Sequence, residues 1–150
     1  MGEKTWTQIC LMEEDMKKEY DEYLVKNFPN LYRQRYLSPQ ETCMCWGFDT
    51  GNGWFDLIKR LSEDITKISP ETEAVQVKEK FGGLRFYVTN ATDEVYKLIE
   101  EAENESFKIC EKCGSRENVT TEGCWVFTLC DKCWENKRNN PNWRIWEEDE

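Results

Sequence analysis

Four cysteines arranged as two close pairs are the residues of this chain best suited to chemistry. Cys110 and Cys113 are separated by two residues, sixteen residues follow, and Cys130 and Cys133 repeat the spacing. Each pair offers two thiolates to one ion, and zinc prefers four such ligands in a tetrahedron. Four protein thiolates leave no position for a water molecule. The spacing therefore predicts one structural zinc ion (Zn2+) per chain, a cofactor that stabilises the fold rather than taking part in a reaction.

Other interpretations of the cysteines stay open. The pairs could be redox-active or simply buried, and four thiolates also suit iron. Cys124, between the pairs, is interpreted as a small buried residue. Cys43 and Cys45 form a Cys-x-Cys whose only further thiol partner is Cys10, so a second metal site there lacks ligands and the role of this pair is open. Histidine, the commonest substitute ligand, is absent from the chain.

The composition of the chain argues against several classes of protein. Its 150 residues fit one domain with a small appendage, and its apolar residues (39%) and aromatic residues (13%) suffice for a core. The net charge of -10 disfavours nucleic acid and anionic membranes as partners, because phosphate binding needs a basic face. The sequence has no long apolar run and no export signal. We therefore expect a cytoplasmic protein with reduced cysteines.

The periodic spacing of apolar residues predicts an α+β fold, in which amphipathic helices pack on a small antiparallel sheet or hairpin. Helices are expected over 9–28, over 54–65 with Asn52 or Asp49 as the cap, and from 90 or 92 onward. Alternation of apolar and polar residues over 74–90 predicts the hairpin.

The chain divides into three predicted parts. It has no internal repeat and no long linker, so the parts follow one another directly. They are an α+β core domain over 1–106, a four-cysteine zinc ribbon over 107–138, and an acidic tail over 139–150 that contains Trp143 and Trp146.

The predicted hairpin carries a basic face in an otherwise acidic chain. With the two glycines of 82–83 as the turn, Lys80 faces Arg85. Lys78 then faces Tyr87 on the same side of the hairpin. Like charges directly opposite each other are destabilising unless an anion lies near. That anion is a carboxylate of this chain, a carboxylate of a partner, or a ligand phosphate.

The opposite face of the hairpin is apolar apart from Glu79. Glu79 is expected either at the sheet edge or in a pair with Arg85. The apolar positions predicted to point toward the core are Val75, Val77, Phe81, Leu84, Phe86 and Val88.

Two tryptophans, Trp46 and Trp54, flank the glycine-rich loop 51–53. Aromatic residues of this kind usually belong to the core. Exposed, they would instead offer a stacking platform for a planar ligand. The candidate ligand- or partner-binding residues are therefore Lys78, Lys80, Arg85, Tyr87, Trp46 and Trp54.

Several motifs together resemble a group of small uncharacterised proteins from bacteriophages and prophages. They are WGF at 46–48, GNGWFDLI at 51–58, VKEKFGGLRFY at 77–87 and CEKCG at 110–114. The resemblance covers about 43–133. It implies a phage-encoded accessory protein made inside an infected bacterium, and it implies no activity.

These observations favour a non-catalytic protein that binds a host protein, for example in counter-defence. The alternative is a protein that sequesters a phosphorylated small molecule, such as a nucleotide signal, through the basic hairpin. Nucleic-acid recognition by the zinc ribbon is disfavoured, and a homo-oligomer formed through the hairpin edge stays open. An enzyme is least favoured, because the chain lacks histidine and shows no nucleophile elbow, phosphate loop or aspartate-rich metal motif.

Overall fold

The computed structural model describes residues 16–123 and 126–139, and this part of the chain has the predicted α+β fold. No helix within these ranges combines the length and the apolar content needed to span a bilayer. The elements in chain order are α1 (Lys18–Asn27), β1 (Phe48–Asp49), α2 (Phe55–Ile68), β2 (Glu73–Lys80), β3 (Gly83–Thr89), α3 (Asp93–Ser106), β4 (Val119–Glu122), β5 (Phe127–Cys130) and α4 (Asp131–Asn139).

Two sheets form the β part of the fold. The first has the order β1-β2-β3, with β2 and β3 antiparallel as predicted and β1 added parallel to β2. The second is the antiparallel hairpin β4-β5. Strand β1 has two residues, too few for a recognisable alternation, and for that reason the sequence did not predict it.

Helices α1, α2 and α3 bury one face each, as their apolar spacing predicts, whereas α4 was not predicted. Thr92 caps α3, since its Oγ1 accepts a hydrogen bond from the Val95 N–H at 3.3 Å. The predicted side-chain cap of α2 is wrong. A 3₁₀ turn, Asn52–Trp54, leads into that helix, and Asn52 Oδ1 instead accepts from the Lys17 N–H. In the predicted first helix, residues 9–15 lie outside the described ranges.

The register of the β2-β3 hairpin differs from the predicted one by one residue. Lys80 pairs with Gly83 and Lys78 pairs with Arg85, so the turn residues are Phe81 and Gly82. Both have positive φ, 55° and 85°, as a type I′ turn requires. Gly83 serves a different purpose, because a Cβ there would lie 2.4 Å from the Phe107 ring.

Two hairpin residues that were predicted to point toward the core, Val75 and Phe81, are not buried there. A β-bulge between Ala74 and Gln76 buries Ala74 and leaves Val75 only partly buried. Phe81 lies in the turn and is 67% exposed.

Glu79 lies on the core-facing side of the hairpin, where its carboxylate accepts a hydrogen bond from the Gly82 N–H at 2.7 Å. Burial raises the pKa of Glu79, and this hydrogen bond opposes the shift.

Helix α3 covers the outer edge of β3. Ser106 Oγ accepts from the Leu84 N–H at 2.9 Å, and Glu103 Oε2 accepts from the Phe86 N–H at 3.0 Å. An edge strand with free N–H groups would invite pairing with another chain. These two groups are instead satisfied within the chain.

Candidate metal centre

The four paired cysteines come from three different places in the fold. Cys110 and Cys113 lie in a tight turn after α3, where the Gly114 N–H bonds to the Cys110 carbonyl at 2.9 Å. Cys130 ends β5, and Cys133 lies in the first turn of α4. The second pair thus spans a strand–helix junction rather than the second turn that a simple ribbon would have.

The four sulfur atoms converge on one point. All four Sγ atoms lie within 4.8 Å of one another, and Cys113 Sγ is 3.7 Å from Cys130 Sγ. A tetrahedral ion with Zn–S bonds of about 2.3 Å separates its sulfurs by about 3.8 Å. A disulfide would bring two sulfurs to about 2.05 Å, and these cysteines are free. The predicted ligands are therefore brought together in an arrangement that fits a metal ion.

The electrostatics of the cluster also fit a cation. Burial raises the pKa of Cys133 strongly, and the neighbouring thiol of Cys110 raises it further. Burial likewise raises the pKa of Cys113. For Cys130 burial also acts upward, but hydrogen bonds from the Cys133 backbone and the other thiols outweigh it and lower the pKa. The neighbouring thiols thus favour ionisation of Cys130 and oppose that of Cys113 and Cys133, whereas a bound cation would stabilise all of the thiolates together.

The glycine-rich loop before α2 supports the first cysteine pair directly. The Gly53 N–H donates to the Glu111 carbonyl at 2.7 Å, and the Gly51 N–H donates to Glu111 Oε2 at 2.9 Å. A Cβ on Gly53 would lie 2.1 Å from the Cys110 carbonyl oxygen, and one on Gly51 would lie 2.4 Å from that of Glu111. Only glycine allows this approach of two backbones. The Gly-x-Gly spacing is visible in the sequence, but nothing in the sequence showed that this loop contacts the first cysteine pair.

The cysteine segment, which is the part of the chain from Cys110 to Cys133, is also hydrogen-bonded to the turn of the β2-β3 hairpin. Thr128 Oγ1 donates to the Gly82 carbonyl at 2.5 Å and lies 2.7 Å from Thr121 Oγ1. The backbone of Thr128 in turn accepts from the Glu111 N–H at 2.9 Å. One residue of β5, two positions from Cys130, therefore links the metal site and the hairpin turn.

The predicted basic face exists, although its cross-strand partners differ from those expected. Lys78, not Lys80, lies opposite Arg85, and Tyr87 pairs with Gln76. Two carboxylates of the chain accompany the like-charged pair. Asp49 is the partner of Lys78 in the parallel ladder, and Glu103 Oε1 lies 3.9 Å from Arg85 Nη1. Lys80 and Tyr87 are exposed.

The two candidate tryptophans do not form a stacking platform. Trp54 is 0% exposed, and its indole N–H donates to the Ile109 carbonyl at 3.0 Å, so it belongs to the core and cannot contact a ligand. Trp46 is 70% exposed. Cys43 and Cys45 belong to no group of three or more potential metal ligands in the part of the chain described. Cys10, Cys124 and the tail tryptophans, Trp143 and Trp146, lie outside the described residues.

Comparison with known proteins identifies no relative of this chain. No protein-family model, no curated protein and no solved structure matches it.

Proposed function

We propose that this protein is non-catalytic, that Cys110, Cys113, Cys130 and Cys133 hold one structural zinc ion in a ribbon-like segment, and that the protein acts by binding another protein. The observation that carries the proposal is the closed set of four converging sulfur atoms. A backbone hydrogen bond joins this segment to the loop before α2, and the Thr128 hydroxyl joins it to the hairpin turn.

Zinc is the ion that best suits this donor set. Four thiolates at tetrahedral separation are typical of structural zinc sites, which have no open position for water or substrate. Zinc brings no redox chemistry, so its contribution is free energy of folding. The hydrogen bonds around the cluster act in the same sense, because they join its backbone to the loop before α2 and to the hairpin turn.

Protein binding is the activity that such a stabilised scaffold supports. The resemblance to phage proteins makes a host protein the expected partner, inside an infected bacterium. The chain's charge of -10 would speed association with a basic partner surface. Trp46, Tyr87 and Phe81 are large exposed aromatic residues, and residues of this kind are enriched among those that dominate binding energy at interfaces.

A phosphorylated small molecule is the second candidate ligand. The observation in its favour is the direct opposition of Lys78 and Arg85, with the exposed Lys80 on the same strand as Lys78. We rank it second because Glu103 already lies 3.9 Å from Arg85 and Asp49 is the neighbour of Lys78 in the parallel ladder.

Metal analysis of reduced, purified protein tests the zinc part of the proposal. Wild type and Cys43→Ser should carry about one zinc ion per chain, since Cys43 is exposed and outside the cluster. Cys130→Ser should lose the ion and melt at a lower temperature, because a buried ligand of the set is removed. A metal-free wild type, or a chain that carries iron instead, would contradict this assignment.

Native mass spectrometry of the protein isolated from bacterial cells tests the binding part. A complex of defined stoichiometry with a host protein supports it. A carried-over phosphorylated small molecule, lost on refolding and absent from Lys78→Ala/Arg85→Ala, would instead establish the second candidate. If the chain carries neither, the binding proposal fails in both forms.

A further inference from the structure

Phe81 adopts a backbone conformation that its side chain disfavours. Its φ is 55°, in the left-handed region that glycine and asparagine occupy most readily. For a bulky residue this conformation costs free energy, and such strain persists only where the surrounding structure fixes it. Residues that carry strain of this kind cluster at functional sites, so a conformational outlier is a reason to look for a binding role.

The chain holds this turn from two sides. Within the hairpin, Glu79 Oε2 accepts from the Gly82 N–H at 2.7 Å. From the cysteine segment, Thr128 Oγ1 donates to the Gly82 carbonyl, so Thr121 Oγ1 must donate to Thr128 Oγ1. All of these bonds involve Gly82 or its partners and none requires a phenyl ring at position 81.

The Phe81 ring itself is presented to solvent. It is 67% exposed, and Lys80 Nζ lies 5.6 Å from the ring centroid. Glycine at this position would remove the strain and leave the hydrogen bonds of the turn in place. The described residues therefore give no reason for phenylalanine here, whereas an aromatic ring on a rigid turn is well suited to enter a pocket.

We propose that Phe81 is the anchor residue of a protein-binding surface, and that it enters an apolar pocket on the partner whose rim carries carboxylates facing Lys80. This inference rests on the proposed protein-binding function and specifies its contact. The charge assignment follows from Lys80, which is exposed beside the ring. Carboxylates at the rim of the pocket would complement this cation locally, while the acidic remainder of the chain favours a partner whose wider surface is basic.

Single-stranded nucleic acid is the competing ligand for this surface, because exposed aromatic residues can stack with bases while basic residues contact phosphates. The charges favour a protein. Glu103 Oε1 already lies 3.9 Å from Arg85 Nη1, and the chain as a whole carries -10. An acidic chain repels the phosphates beyond the immediate contact, so little of the usual electrostatic affinity would be gained here.

The stability of three purified full-length variants tests whether the ring serves the fold. Phe81→Gly should melt at the same temperature as wild type or higher, because the turn loses its strain. Tyr96→Ala is the matched control, since Tyr96 is a 51% exposed aromatic residue on α3 and not in the hairpin turn. Phe81→Ala, which keeps the positive φ under strain, should melt no higher than Phe81→Gly. A clear fall in melting temperature for Phe81→Gly would show that the ring stabilises the fold and would overturn the inference.

The binding experiment uses a photo-crosslinking phenylalanine analogue at position 81, and at position 96 as the control, in bacterial cells. The protein captured from position 81 alone is then purified, and its affinity is measured by calorimetry. Phe81→Gly should bind it about 30-fold more weakly or worse. Lys80→Glu should also bind more weakly and with a smaller dependence on salt. Tyr96→Ala should bind as wild type does.

The outcomes separate this inference from the proposed function. A purified partner that binds wild type and Phe81→Gly equally overturns the anchor role and leaves protein binding intact. A chain that forms no complex with any protein overturns both. Binding of an oligo-dT probe, or self-association of the purified chain, overturns the inference if either depends on Phe81, because the occupant would then be nucleic acid or a second copy.

Discussion

Replacing Gly53 with alanine tests whether the loop before α2 holds the first cysteine pair in place. The added Cβ would lie 2.1 Å from the Cys110 carbonyl oxygen and 2.6 Å from both the Glu111 carbonyl oxygen and the Gly114 nitrogen. All three are backbone atoms, which cannot rotate away as a side-chain end can. Ordinary van der Waals contact needs more than 3.4 Å. The loop or the cysteine turn must therefore move by about 1 Å or more.

The expected magnitude follows from the contacts that this movement breaks. The hydrogen bond from the Gly53 N–H to Glu111 would be lost, and the one from the Trp54 indole to Ile109 would be strained. Each contributes about 1 kcal/mol net, and overpacking of a tight contact costs about 1–3 kcal/mol more. Gly53→Ala should thus lower the free energy of unfolding by about 3–5 kcal/mol, which for a chain of this size lowers Tm by about 10 °C.

The assay combines thermal unfolding with competition for zinc against a chromophoric chelator. Zinc affinity should fall by about 10–100-fold, as it does when a group supporting the ligands is removed. Gly51→Ala should act in the same direction, because its Cβ would lie 2.4 Å from the Glu111 carbonyl oxygen. Asn52→Ala is the control, since Asn52 bonds to Lys17 and not to the cysteine turn. If Gly53→Ala melts within about 2 °C of the control and keeps its zinc affinity, the loop does not support the site and the reasoning is wrong.

Two further predictions concern neighbouring contacts. Thr128→Val leaves the Gly82 carbonyl without its buried partner and should lower the free energy of unfolding in urea by about 1–3 kcal/mol, whereas Thr120→Val, at an exposed hydroxyl, should change it little. The hydrogen bond from Arg116 lowers the pKa of Glu105. The ionised carboxylate therefore stabilises the fold above its unfolded pKa, and this contribution is lost as the pH falls through the lower folded pKa. The difference in unfolding free energy between wild type and Glu105→Gln should be constant near neutral pH and shrink progressively below about pH 4, and a difference that persists undiminished in acid would refute the assignment.

The features that the sequence predicted correctly depend on residues close together in the chain. Each Cys-x-x-Cys pair sets its own local geometry, so the four cysteines that lie together could be identified without knowing the fold. The start of α3 was predicted at Asn90 or Thr92, and Thr92 is the cap, because a capping hydroxyl acts on an N–H three residues away.

The hairpin register shows why longer-range features could not be predicted. Two adjacent glycines, Gly82 and Gly83, allow two different turns of two residues, and local chemistry favours the one that uses both. The actual choice depends on contacts from elsewhere. The Phe107 ring needs the space at position 83, and Thr121 and Thr128 approach position 82 so closely that a Cβ there would lie 2.7 Å and 3.0 Å from them. Phenylalanine was consequently displaced from the expected core face into the turn.

The same long-range contacts connect the metal site to the proposed binding surface. Buried apolar side chains form one cluster in the α+β part and another around Cys110, Cys130 and Trp134. Hydrogen bonds from the 51–54 loop to Ile109 and Glu111, together with the Thr128–Gly82 bond, join the two parts. These bonds keep their geometry only while both segments hold their positions. A metal ion bound by the four cysteines would hold β5 in place. Through Thr128 of β5 it would also hold the strained turn that presents Phe81.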